Sequence, residues 1–120
     1  MKTKNFKYTV LHEENGILFL SWKVEHITLE IAKRSVEDRI KETEGREVLI
    51  LSDATGIKSM TKEAREYLAK NSHINVKKGA VLVDSTLSKL VVNFCIMIHK
   101  PKVEMKTFDC AKIALTWLKL

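Results

Sequence analysis

The chain has 120 residues, of which 45% are hydrophobic and 30% charged, with one proline, four glycines and two cysteines. That balance fits one globular α/β domain spanning 1–120 and excludes a disordered, fibrous or disulfide-stapled chain. The net charge of +6 falls wholly in residues 61–120, where lysines are scattered as on a solvated surface. In chain order, Phe6 to Val10 alternates as a half-buried strand, Glu13-Glu14-Asn15-Gly16 is a turn, and Ile17 to Val24 returns, so the chain opens with an antiparallel hairpin. Thr28 is placed to cap a helix carrying Ile31, Ala32, Val36 and Ile40 on one face, ended by Gly45 in a left-handed C-cap. Val48-Leu49-Ile50-Leu51 reads as a strand buried on both faces. Asp53 to Ser59 is a loop, Thr61 caps a second helix with Ala64, Tyr67 and Leu68 inward, and Ala80 to Val83 is another buried strand. A third helix runs from about Leu87 to Ile98, with Leu87, Leu90, Val91, Phe94, Cys95 and Ile98 on one face, and Pro101 marks its exit. Val103 to Phe108 is the last strand. Asp109 caps a final helix whose Ile113, Ala114, Trp117 and Leu118 face the core, with Phe108 stapled to Ile113.

The order is therefore β-β-α-β-α-β-α-β-α. Repeated β-α steps require crossovers, so the fold class is α/β (α+β): a mixed sheet of about five strands, an antiparallel hairpin at one side and four helices. No signal-peptide-like apolar segment follows Met1, and the cluster Leu90–Ile98 has about half the ~20 residues of a membrane span. The chain reads as cytoplasmic and not transmembrane, with Cys95 and Cys110 as reduced thiols.

With this order established, Val48-Leu49-Ile50-Leu51-Ser52-Asp53 followed by Thr61-Lys62-Glu63-Ala64-Arg65-Glu66-Tyr67-Leu68 resembles the SpoIIAA-like branch of the STAS superfamily. Asn93-Phe94, Lys100-Pro101 and the closing Ala111 to Leu118 also match its pattern, so the similarity runs from about Gly16 to the end. The resemblance implies a mixed sheet with packed helices. It also implies kinship with anti-sigma-factor antagonists, anion-transporter cytoplasmic domains and small uncharacterised bacterial proteins, some grouped with CRAL-TRIO lipid-binding domains. In the antagonists a D-S-[ST]-G helix start carries the phosphorylated serine. Counted from Asp53, that Asp falls near Thr61 and the serine near Lys62, so the usual phospho-serine switch is missing. Ser59 or Thr61 substitutes only under a different loop alignment, although a phosphate at a helix N-terminus is physically favourable.

No catalytic set is legible. Asp53-Ala54-Thr55-Gly56 only approximates the aspartic-protease triplet, which needs two aspartates in an all-β fold; Asp53 and Thr55 are better read as turn-forming residues. His12, His26, His73 and His99 lie in different elements, and Cys95 with His99 is two ligands without a third, so no metal and no cofactor are expected. Lys77, Lys78, Lys100, Lys102 and Lys106 could bracket one sheet edge, but Arg65 is the sole arginine of that half and no aromatics interleave, which argues against nucleic acid. Val92, Ile96 and Met97 lie off the main stripe of the third helix, so it is apolar around much of its circumference and must be covered. The cover is the fold itself, a second copy in a homodimer, or a lipid-like ligand.

These readings favour a non-enzymatic regulatory or protein-interaction module with an unidentified protein partner. Its interaction face would be Asp53, Ser59, Thr61, Lys62 and Arg65. The alternative is a small carrier or sensor of a lipid-like hydrophobic ligand, with the third helix lining the site.

Overall fold

A computed structural model of the chain describes residues 3–84, 88–93 and 102–120. Three antiparallel strands, β1 (Thr3–Asn5), β2 (Thr9–Glu14) and β3 (Ile17–Trp22), begin a six-stranded sheet. A short strand β4 (His26–Ile27) leads into helix α1 (Leu29–Glu42), and then β5 (Val48–Asp53) pairs parallel with β3. Strand β6 (Ser59–Met60) pairs parallel with β4 outside the main sheet and runs into helix α2 (Lys62–Asn71). Next come β7 (Val76–Leu82), a helical stretch α3 over 88–93, β8 (Met105–Phe108) and helix α4 (Ala111–Leu118). The main sheet has the spatial order β1-β2-β3-β5-β7-β8, its last four strands parallel. This is the expected mixed sheet with an N-terminal antiparallel hairpin, longer by one strand.

The hairpin turn needs two consecutive left-handed residues, and Asn15 (φ 53°) and Gly16 (φ 79°) supply them, closing Glu14 onto Ile17. From β3 onward each new strand is added on the same side of the last. Right-handed crossovers then place every connecting helix on one face. Accordingly Ala32 of α1, Ala64 of α2 and Val92 of α3 share one buried cluster with Val81 of β7. Leu18, Leu20 and Ile50 continue the core on the same face toward β2. The alternate residues Ile17, Leu51 and Ala80 face the other way, against Ala114 and Leu118 of α4. The Val48–Leu51 run is thus buried from both sides, as its unbroken apolar pattern predicts.

Thr28 and Thr61 cap α1 and α2 as expected, their hydroxyl oxygens accepting from the backbone N–H groups of Ile31 (3.4 Å) and Ala64 (3.1 Å). The end of α1 differs by one position. Gly45 N–H donates to the Ile40 carbonyl and Glu44 N–H to the Lys41 carbonyl, a Schellman motif in which Glu44 (φ 52°), not Gly45, fills the first left-handed slot. A salt bridge on α1 joins Arg34 to Asp38 (3.1 Å), one turn apart.

Other expectations are corrected, and one strand is added. Phe6 lies outside any strand, Lys7 and Tyr8 form a bend, and β2 starts only at Thr9; the Phe6 ring packs beside the cluster of Leu11 and Leu18, so its alternation reflected burial without a strand. β1, a polar Thr-Lys-Asn stretch, has no apolar period to reveal it. In α3, Val92 is buried (7% exposed) and Leu90 is 63% exposed, opposite to expectation for these two, while Val91 of the expected stripe does pack on the core cluster; the helix face centred on Ser88 and Val92 is the inward one. In α4 the N-cap position belongs to Cys110, without a side-chain cap, and Ile113 is 59% exposed. The expected Phe108–Ile113 staple gives way to Phe108 against Trp117, ring centroids 5.4 Å apart. Residues 94–101, with Phe94, Cys95, Ile96, Met97, Ile98, His99, Lys100 and Pro101, and likewise Leu87, lie outside the described residues.

Candidate functional site

The stretch from Asp53 to Arg65 joins the carboxyl end of a parallel strand to a helix start, the place where open α/β sheets offer a crevice to ligands. Asp53 closes β5, and its Oδ1 accepts from the Thr55 backbone N–H (3.0 Å) and from the Thr55 hydroxyl (2.7 Å). The aspartate therefore organises the turn, as its pairing with Thr55 in sequence suggests. The chain is then strapped to β4. The Lys58 and Ser59 N–H groups reach the Glu25 carbonyl (2.7 and 3.2 Å), and Thr61 N–H reaches the Ile27 carbonyl (3.0 Å). Ser59 Oγ lies 2.6 Å from His26 Nδ1, bridging the two strands of the small sheet. The Lys58 ammonium beside Glu25 (3.0 Å) holds that carboxyl below its usual range.

Ser59, Thr61 and Lys62 sit together on the outside of this strap and are exposed; Arg65, one turn along α2, is half-buried, its Nη1 donating to the Met60 carbonyl (2.8 Å). Lys62 lies 4.0 Å from Glu66, a loose i,i+4 pair. Asp53 stands apart. Strand alternation sends it to the α4 face with Leu51, while Ser52 faces α2. Four of the five candidate residues thus share one rim, and the fifth serves the turn behind it.

Beneath the same strap lies an apolar cavity of about 120 Å³. Trp22, Ser52 and Val81 of the sheet form its floor, Ile57 and Met60 come from the inner side of the strap, and Leu68 from α2. Val92 of α3 and Met105 of β8 close the far side. The strap is therefore two-faced, polar outward and apolar inward. Val92, one of the candidate dimer or apolar-ligand residues, is 7% exposed and lines this space.

Two polar anchors were not legible as such. Arg39 is buried in α1, its Nη1 and Nη2 donating to the carbonyls of Ile74 (2.8 Å) and Ser72 (3.2 Å), where α2 ends. Burial lowers its pKa. Reading α1 as the stripe 32-36-39-43 would have turned it inward. Lys78, grouped with the edge lysines by sequence, instead donates to the Trp117 carbonyl (2.7 Å), with its ammonium 4.1 Å from the Trp117 ring centroid, a cation at the end of α4. Among the described residues no cluster of three His, Cys, Asp or Glu side chains could hold a metal, and no helix is long and apolar enough to cross a membrane.

Comparison with known proteins agrees with this architecture. A family model described as a domain of unknown function, DUF7793, matches residues 11–120. Among solved structures, the chain is similar to an uncharacterized protein of the DUF3478 family with a SpoIIAA-like fold, from Shewanella loihica PV-4. The two share 18% sequence identity and superpose with a TM-score of 0.66 over 92% of this chain and 91% of the other. At that identity the likeness carries the fold alone, and the fold is SpoIIAA-like. Comparison with curated proteins finds no match.

Proposed function

We propose that this chain, which belongs to the DUF7793 family, is a single-domain, non-enzymatic regulatory module that binds a protein partner in the cytoplasm through the rim of Ser59, Thr61, Lys62 and Arg65. The observation that carries the reading is the construction of that rim. Backbone bonds to Glu25 and Ile27 hold an exposed polar strap in one conformation at the start of α2, while its hydroxyls are already spent on His26 and on the helix cap. A rigid, exposed, polar strap suits recognition, since little order remains to be gained on binding. Counted from Asp53, the phosphorylated serine of the antagonists falls near Lys62, and on this reading the module works without that switch. Affinity capture from the native cytoplasm tests the face. Lys62→Glu, a change at an exposed side chain, should release the captured partner, as should the double variant with Arg65→Glu. Unchanged capture by both folded variants rejects this face.

A second reading, a small carrier or sensor of a hydrophobic ligand, is supported by the cavity under the strap. Native mass spectrometry of freshly purified protein should then show bound apolar mass. A homodimer is compatible with either reading, and sedimentation distinguishes it from a monomer.

A further inference from the structure

We infer that the cavity under the strap is a binding site for a small, neutral, apolar molecule, a single ring or a short branched chain, with Met105 setting the size it accepts. The inference rests on the second reading above and gives its ligand a place and a class. Size is the first argument. About 120 Å³ is close to the ~150 Å³ of an apolar cavity that takes up benzene or xenon, and well below the ~300–1,000 Å³ of sites for drug-sized ligands. A whole acyl chain does not fit. Charge is the second. Among the described residues no charged side chain lines the space, and the polar groups of the described lining residues are the hydroxyls of Ser52 and Ser72 and the indole N–H of Trp22. An ionised ligand would lose its hydration with nothing to replace it. Location is the third: the cavity lies under the carboxyl ends of β3 and β5, at the strap.

Met105 sets the limit because of Gly79. The Met105 side chain leaves the edge strand and crosses β7 at Gly79, where a β-carbon would collide with its sulfur and lie 2.9 Å from its Cε. The same added carbon would be 3.3 Å from Ile50 Cγ2, so the thioether occupies a trough that the glycine opens between β5 and β8. A flexible thioether in such a trough can change rotamer at little cost. Its removal extends the cavity across the sheet.

The test uses the full chain with ¹³C-labelled methyl groups, titrated with benzene and pressurised with xenon, following the methyls of Ile27, Val81 and Val92. Saturable shifts confined to these groups are the expected result; no saturable shift with either probe overturns the inference. Ala69→Leu, which adds carbons to the α2 wall, should weaken benzene binding by about tenfold or more. Equal binding by that variant, folded by its melting curve, also overturns it. Met105→Ala should admit naphthalene, which the parent chain rejects, and this arm decides should Ala69→Leu fail to fold. Palmitate is the control for the broader reading. Palmitate bound without benzene overturns this site and size and leaves a lipid carrier standing, whereas benzene bound without palmitate supports the inference and removes the lipid carrier.

Discussion

Arg39 is the single side chain whose loss should be felt most, and the structure lets its contribution be built up by parts. Its three methylenes are buried between α1 and the end of α2, worth about 0.8 kcal/mol each, or about 2.4 kcal/mol together. Its two charge-assisted hydrogen bonds to the Ser72 and Ile74 carbonyls each add a net ~1.5 kcal/mol at the lower end of the usual range. Keeping a cation out of water offsets part of this, consistent with its lowered pKa. Arg39→Ala should therefore destabilise by about 2–4 kcal/mol, which for a chain of this length lowers Tm by roughly 4 °C per kcal/mol. Arg39→Met keeps the apolar stem, removes the buried charge and forgoes only the bonds, so its loss should be about 1–2 kcal/mol. Urea unfolding measures both, with m held constant to show that the unfolded state has not changed. A loss below about 1 kcal/mol for alanine, or a methionine variant as unstable as the alanine one, would refute the account of a charge-assisted clamp.

Glu44→Gly should raise stability by about 0.5–1 kcal/mol, since a glutamate now holds the left-handed slot of the α1 C-cap; a loss in urea unfolding would contradict that assignment. The Arg46 guanidinium grips both oxygens of Glu13 (3.1 and 2.9 Å) and lowers its pKa. That contribution is present above the unfolded value of about 4.3 and is lost as pH falls through the lowered folded value. Both side chains are partly solvated, so Arg46→Met should destabilise only slightly at pH 7, and the gap should close as pH falls through the lowered folded value of Glu13; a pH-independent gap would rule out the ion pair as its source. Gly79→Ala should destabilise by about 1 kcal/mol by displacing Met105, and Met105→Ala should remove most of that penalty in a double-mutant cycle, additive losses being the result that disagrees.

The sequence signals that succeeded were those with a local cause. Asn15-Gly16 can adopt paired positive φ, Thr28 and Thr61 can cap, and Val48–Leu51 is apolar without interruption, so turn, helix starts and central strand follow from each segment alone. The misses depend on tertiary neighbours. Leu90 and Val92 are both apolar, and which one turns inward follows from the docking of α3 on the cluster of Ala64, Val81 and Val83, which buries Val92. Cys110, not Asp109, is the α4 N-cap and makes no side-chain cap bond, so no local capping signal marked that start, while Ala114 and Leu118 pack with Ala80 and Leu51. The rim was legible because Ser59, Thr61, Lys62 and Arg65 are close in sequence. The cavity was not, because Trp22, Ser52, Val81 and Met105 come together only in the folded sheet.

The one-sided routing of the crossovers has a further effect on how the protein opens. Helices α1 and α2 each link two neighbouring strands, so neither can leave without straining the sheet between them. Helix α4 spans no such pair. It is held by Ala114, Leu118, the half-buried Trp117 and the Lys78 bond, and its undocking breaks no strand pairing. Amide hydrogen exchange should therefore divide along the plane of the sheet. The amides of α4 should exchange through a low-energy local opening, while those of β3, β5 and β7 exchange only with global unfolding.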